Sequence, residues 1–167
     1  MDEFETRVAG LLTRLADQLL TRNWRMATAE SCTGGWIAKC CTDMAGSSGW
    51  FDCGVIAYSN QAKEELLGVS HDDLLRHGAV SDEIACQMAT GAKRRSRVEV
   101  AVAVTGIAGP TGGMPGKPVG LVHFGWCIED RPASCQSQVF AGDRNAVRQQ
   151  TVVYALEGIL ACLEAAS

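Results

Sequence analysis

Residues 98–104, Val-Glu-Val-Ala-Val-Ala-Val, form a run that is apolar apart from Glu99. A continuous run of this kind is typical of a strand that is buried on both faces of its sheet. Such a strand needs a layer of helices on each side. Apolar residues at helical spacing predict one helix over residues 4–20, and a second is predicted over residues 144–165. We therefore expect an α/β fold with helices on both faces of a mixed sheet.

The rest of the sequence predicts the other strands and helices of this fold. Further strands are predicted over residues 25–29, 53–58, 119–128 and 135–140, and further helices over residues 33–41, 61–67 and 82–95. A loop over residues 106–117 holds five glycines and two prolines, and a loop this long inside a compact domain is usually functional. No linker or shift in composition divides the chain, so we expect a single domain over residues 1–167.

Composition and charge exclude several classes of function. A net charge of −4 argues against broad nucleic-acid binding, which needs a basic face. No apolar run approaches the roughly 20 residues of a membrane span, and the acidic start of the chain is unlike a secretory signal. We expect a cytoplasmic protein whose eight cysteines are reduced thiols. None of them forms a C-x-x-C pair, so a metal site is not expected.

The segment 28–35, Thr-Ala-Glu-Ser-Cys-Thr-Gly-Gly, lies between a predicted strand and a predicted helix. Unpaired N–H groups at a helix start can hold an oxyanion or a phosphate, and Ser31 would face that ligand. On pattern alone, a capping role for Ser31 is favoured, because serine is a preferred N-cap. Cys32 could be a rival nucleophile. However, adjacent helical residues point about 100° apart, which favours a packing role for Cys32.

Lys63 lies in the first turn of a predicted helix, shortly after Tyr58 ends a strand. A cation at that end opposes the helix dipole, and this favours the neutral amine that a general base requires. Glu64 and Glu65 favour the charged form instead, so a solvated lysine remains the alternative. Thr105 ends the buried strand, beyond which ligands tend to bind in folds of this class.

Arg144 and Arg148 are four residues apart, so they share one face of the last predicted helix. An anion between the two guanidinium groups would relieve their repulsion, and arginine suits phosphate oxygens. Two solvated arginines, with Asp143 as the helix cap, are the alternative.

Six motifs stand in one order along the chain, and together they resemble the CinA C-terminal domain family, the nicotinamide-nucleotide amidohydrolases. They are TAESCTGG at 28–35, YSNxxK at 58–63, GAVS at 78–81, TGIAGP at 105–110, KPVG at 117–120 and GDRxxVR at 142–148. The resemblance implies a three-layer α/β/α sandwich with a mixed central sheet. It also implies hydrolysis of the carboxamide of nicotinamide mononucleotide to nicotinate mononucleotide and ammonia, without a metal or organic cofactor, by at least a dimer.

The resemblance suggests a role for each motif. Ser31 would attack the carboxamide carbon, and Lys63, oriented by Tyr58, would take the serine proton. Thr105 and nearby backbone N–H groups would hold the oxyanion or orient the amide. Arg144 and Arg148 would bind the 5′-phosphate. The other residues expected to contact the substrate are Cys32, Thr33, Gly34, Asn60 and Gly106.

Three alternatives remain open at this stage. The chain could bind nucleotides without hydrolysing them, or it could hydrolyse a different phosphorylated amide or ester. A role in DNA uptake or in the response to damage is the third. The acidic charge gives no support to direct DNA binding.

Overall fold

The computed structural model describes residues 1–167 and contains one sheet of five strands. The strands are β1 (Met26–Glu30), β2 (Phe51–Ile56), β3 (Val100–Gly106), β4 (Leu121–Ile128) and β5 (Ser134–Val139). Their order in the sheet is β2-β1-β3-β4-β5. Strand β1 pairs in parallel with β2 and β3, whereas β4 pairs antiparallel with β3 and β5. The predicted mixed sheet with a central third strand is confirmed.

Six α-helices cover the two faces of this sheet. They are α1 (Glu3–Arg22), α2 (Trp36–Asp43), α3 (Asn60–Leu67), α4 (His71–His77), α5 (Asp82–Ser96) and α6 (Arg144–Ala165). Helices α1, α2 and α6 contribute to one buried apolar cluster, and α3, α4 and α5 contribute to the other. None of the helices combines the length and the apolar character needed to cross a membrane.

Strand β3 explains why two helical layers are required. Val100, Val102 and Val104 belong to the first cluster, whereas Ala101 and Ala103 belong to the second. Side chains alternate across a strand, so β3 presents apolar groups to both faces. The three-layer α/β/α sandwich follows from this alternation, as the apolar run predicts.

Two sequence predictions need correction. Helix α2 begins at Trp36 and not at Thr33, because Gly34 and Gly35 adopt positive φ angles that end the turn after β1. The expectation that all cysteines are reduced is also wrong. Cys86 of α5 and Cys135 of β5 form a disulfide, with their Cα atoms 6.0 Å apart. The packing of α5 along β5 brings them together, and their separation of 49 residues hides this in the sequence.

Gly91 lets α5 pack closely against the end of α3. A Cβ atom at this position would overlap the Leu67 carbonyl oxygen, which is backbone and cannot rotate away. We expect overpacking to cost Gly91→Ala about 1–3 kcal/mol and helix propensity to return about 1 kcal/mol, so the free energy of unfolding should fall by up to about 2 kcal/mol. Gly10→Ala is the matched control, since no atom lies within 4 Å of an added Cβ there. Urea unfolding of both variants measures the difference; a stabilised Gly91→Ala protein would contradict the close approach.

Candidate active site

Ser31 and Lys63 meet in a buried pocket at the edge of the sheet where the parallel strands end. Ser31 directly follows β1, and Lys63 lies in the first turn of α3. Lys63 Nζ lies 3.0 Å from Ser31 Oγ. It also lies 3.0 Å from the carbonyl oxygen of Ala57 and 3.1 Å from that of Tyr58. The sequence-predicted nucleophile and base are therefore in direct contact.

Burial controls the charge of Lys63. The side chain is 1% exposed, and loss of solvent lowers the pKa of the Lys63 ammonium below its ordinary value. Glu64 does not oppose this, because its carboxylate instead contacts His71 Nδ1 at 2.8 Å. A neutral amine has two N–H donors and one lone pair. The two carbonyls can take the donors, which leaves the lone pair to accept the Ser31 hydroxyl proton.

The start of α2 binds an anion that the sequence analysis missed, the carboxylate of Glu30. Glu30 is 1% exposed, and it accepts hydrogen bonds from the N–H groups of Ile37 at 2.8 Å and Ala38 at 3.0 Å. Thr33 Oγ1 donates to it at 2.6 Å. Glu30 therefore occupies these two donors at the start of α2, and the oxyanion role expected for N–H groups of the turn before it stays a prediction. No sequence signature marks this contact, because Glu30 reaches donors seven and eight residues further along the chain.

The turn itself keeps free donors. The N–H of Gly34 donates to the Ser31 carbonyl oxygen at 3.0 Å, whereas the N–H groups of Cys32 and Thr33 have no partner in the protein. The Cys32 side chain packs in an apolar cluster. Burial raises the pKa of the Cys32 thiol to about 12, so this thiol is protonated at neutral pH. The geometry favours the packing role for Cys32 over the rival nucleophile.

Thr105 lines the same pocket as Ser31 and is 1% exposed. Its hydroxyl donates to the carbonyl oxygen of Ala79 at 2.9 Å. The proton is therefore engaged, and the hydroxyl offers the pocket its lone pairs as acceptors. Ala79 belongs to the GAVS motif, and this contact gives that motif a structural role.

Arg144 lies at the mouth of the pocket, at the start of α6. Its Nη1 donates to the carbonyl oxygen of Gly109 at 2.8 Å, and its Nη2 lies 3.4 Å from the hydroxyl of Tyr58. The Tyr58 side chain is 63% exposed. Tyr58 therefore orients Lys63 through its backbone carbonyl, while its side chain contacts Arg144.

Arg148 has different surroundings from Arg144. Its Nε donates to the carbonyl oxygen of Cys32 at 3.1 Å, and its Nη2 donates to that of Thr33 at 3.0 Å. The guanidinium carbon lies 5.1 Å from the centre of the Trp36 ring. Arg148 thus contacts the outside of the turn that carries Ser31.

Most of the sequence-predicted residues line one cavity of about 290 Å³. Those that do are Ser31, Cys32, Tyr58, Asn60, Lys63, Thr105, Gly106 and Arg144; those that do not are Thr33, Gly34 and Arg148. A larger groove of about 710 Å³ lies beside α1 and α2 but contains neither Ser31 nor Lys63. No group of three or more His, Cys, Asp or Glu side chains is placed to hold a metal ion.

This protein is thus an α/β/α sandwich that carries a buried Ser–Lys pair at the ends of its parallel strands. The chain belongs to the CinA C-terminal domain family, whose sequence model matches residues 9–163. This confirms the resemblance that the six motifs carry.

Individual relatives match over nearly their full lengths. The nicotinamide-nucleotide amidohydrolase PncC of Enterobacter agglomerans is 48% identical over 156 residues, which are 93% of this chain and 95% of that protein. The protein of the same name from Escherichia coli K12 is 44% identical over 153 residues, 92% of this chain and 93% of that protein. The crystal structure of the competence/damage inducible protein CihA from Agrobacterium tumefaciens superposes with a TM-score of 0.92 at 42% identity, covering 98% of this chain and 99% of that one.

Proposed function

We propose that this chain hydrolyses the carboxamide of nicotinamide mononucleotide to nicotinate mononucleotide and ammonia. The contact between Ser31 Oγ and Lys63 Nζ at 3.0 Å carries the proposal. It pairs a nucleophile with a base whose pKa is lowered by burial, and amide hydrolysis needs both. The names of the relatives at 44% and 48% identity support the choice of substrate.

The proposed reaction proceeds through an ester on Ser31. Lys63 accepts the Ser31 proton as Oγ bonds to the carboxamide carbon. The protonated Lys63 then gives this proton to the nitrogen as the carbon–nitrogen bond breaks, and ammonia leaves. Lys63 next accepts a proton from water, which attacks the ester carbon. When the ester breaks, Lys63 returns a proton to Ser31 and releases the carboxylic acid product.

Two groups would orient the carboxamide. Cys32 lines the cavity next to the nucleophile, and its N–H has no partner in the protein, so this N–H can donate to the oxyanion. The Thr105 hydroxyl would accept from the amide nitrogen, since its own proton is engaged by Ala79. This assigns Thr105 to orientation of the amide, and the backbone donor to the oxyanion.

Ammonia release decides between hydrolysis and simple binding. Purified protein incubated with nicotinamide mononucleotide should release ammonia and form equal amounts of nicotinate mononucleotide. A binding module without hydrolysis would bind the nucleotide and release no ammonia, and that result would refute the proposal. The expected cytoplasmic location, the homo-oligomer and the single domain stay predictions.

Arg144 is the proposed ligand of the 5′-phosphate. Its guanidinium is exposed at the mouth of the cavity, with two protein contacts and further free donors. We expect Arg144→Gln to raise KM for nicotinamide mononucleotide by about tenfold to a hundredfold, because a hydrogen-bonded charge is lost. KM for nicotinamide riboside, which lacks the phosphate, should change little.

Arg14→Gln is the matched control for Arg144. Arg14 is an exposed residue on α1 that pairs with Glu164 and does not line the cavity, so its substitution should leave both KM values unchanged. An equal rise of KM for the nucleotide and the riboside in Arg144→Gln would contradict a phosphate contact.

A further inference from the structure

We propose that Arg148 is a positioning residue that fixes and polarises the turn after Ser31, and that it does not bind the substrate phosphate. The inference rests on the proposed function, because it assigns a role within that amide hydrolysis. It replaces the sequence-based prediction that Arg144 and Arg148 share one anion. The two side chains share a helical face, but their contacts divide them between two tasks.

The hydrogen bonds of Arg148 hold two consecutive peptide groups. Nε donates to the Cys32 carbonyl and Nη2 to the Thr33 carbonyl, at 3.1 Å and 3.0 Å. The donors of a guanidinium form a rigid planar fork, so two such bonds set the orientation of the peptides as well as their position. A trans peptide is planar, so holding these two carbonyls also fixes the N–H groups of the same peptides, those of Thr33 and Gly34.

Few backbone N–H groups near Ser31 are free to donate to an oxyanion, so the orientation of the free ones matters. The N–H groups of Ile37 and Ala38, at the start of α2, are occupied by Glu30. The N–H of Gly34 is occupied by the Ser31 carbonyl. The unpaired donor that remains beside Ser31 in a residue lining the cavity is the N–H of Cys32. Arg148 on the Thr33 carbonyl polarises the peptide of Gly34, whose N–H donates to the Ser31 carbonyl, and this bond in turn strengthens the Cys32 N–H as a donor.

Arg148 is itself held in place. Its guanidinium stacks over the ring of Trp36 with the carbon 5.1 Å from the ring centre, a cation–π contact that limits its movement. Trp36 is the first residue of α2, whose start Glu30 binds from within the fold. The turn is therefore held by Glu30 on one side and by Arg148 on the other. Arg144 lines both the catalytic cavity and a neighbouring groove of about 450 Å³, whereas Arg148 lines the groove and not the catalytic cavity.

A comparison of two substrates tests this division. We would measure kcat and KM of Arg148→Met with nicotinamide mononucleotide and with nicotinamide riboside. We expect kcat to fall by about tenfold to a hundredfold for both substrates, somewhat less than the effect of removing an oxyanion donor outright. KM for the nucleotide should stay within about twofold, since a uniform binding contact is not lost. Gln149→Met, at the adjacent position on α6, is the matched control and should change neither constant.

Arg148→Lys provides the conservative variant, and it covers the case in which Arg148→Met does not fold. Lysine keeps the charge but lacks the fork, so we expect it to restore part of kcat and to show the same equal effect on both substrates. A rise in KM restricted to the nucleotide, in either variant, would overturn the inference, as would an unchanged kcat.

Failure of the proposed function would look different from failure of this inference. If the wild-type protein released no ammonia from nicotinamide mononucleotide, the reaction itself would be refuted. The positioning role would then be decided by amide hydrogen exchange of Gly34, whose N–H is bonded to the Ser31 carbonyl oxygen within the turn, measured without substrate. Faster exchange in Arg148→Met than in Gln149→Met supports the role, and equal exchange refutes it.

Discussion

Ser31→Ala should reduce kcat for the hydrolysis of nicotinamide mononucleotide by about 10³-fold or more, because the proposed nucleophile is lost. The fold should survive, since Lys63 Nζ keeps the Ala57 and Tyr58 carbonyls as partners. Binding of the nucleotide should also survive, because the phosphate contact at Arg144 is untouched. The measurements are ammonia release and equilibrium binding of the nucleotide to the same preparation.

Ser137→Ala serves as the control for Ser31, since Ser137 is exposed on the edge strand β5. Its activity should equal that of the wild type. Full activity in Ser31→Ala would exclude Ser31 as the nucleophile. A trapped ester offers a second test: rapid quenching of the wild-type reaction should reveal protein that is heavier by the nicotinoyl nucleotide on Ser31.

Lys63→Met should lower kcat by about 10²–10⁴-fold, the usual contribution of a general base. The pH profile gives a sharper test. The neutral amine is the active form, so kcat/KM of the wild type should rise with pH as Lys63 loses its proton. Burial lowers the pKa of Lys63, so this rise should occur below the ordinary pKa of a lysine side chain. The variant should lack the rise.

Lys39→Met is the matched control, because Lys39 is an exposed lysine on α2 that pairs with Asp43. It should keep both the rate and the pH profile of the wild type. Two results would count against Lys63 as the base. One is the same rise of kcat/KM with pH in Lys63→Met. The other is a wild-type profile in which kcat/KM does not rise with pH.

The layers of the fold could be predicted because buried positions are apolar and recur along the sequence with the period of the helix or strand. Strand β3 alternates valines and alanines between two apolar clusters, and its unbroken apolar run reports both layers. The exact ends of individual helices were harder to predict. The glycines at 34 and 35 allow either a close-packed helix or a turn, and only their positive φ angles show that α2 begins at Trp36.

The candidate site was predictable as a set of residues but not as an arrangement. Ser31, Lys63 and Thr105 each stand at the end or beginning of a predicted element, so the sequence could nominate them. The roles of Glu30 and Arg148 depend on partners seven residues and 116 residues away along the chain. Neither spacing has a sequence signature, so the sequence predicts neither contact, and the phosphate role it predicts for Arg148 stays a prediction beside the positioning role proposed above.

The sequence by itself determined the α/β class, the family and the residues able to act as nucleophile, base and cation, because periodicity and ordered motifs are local properties of the chain. Tertiary structure decided which of these residues meet. It removed Lys63 from solvent, and this burial lowers the pKa of its ammonium, whereas the sequence indicated only a helix dipole and two opposing glutamates. It also gave the start of α2 to Glu30, and this leaves the free N–H groups of the preceding turn as donors beside Ser31.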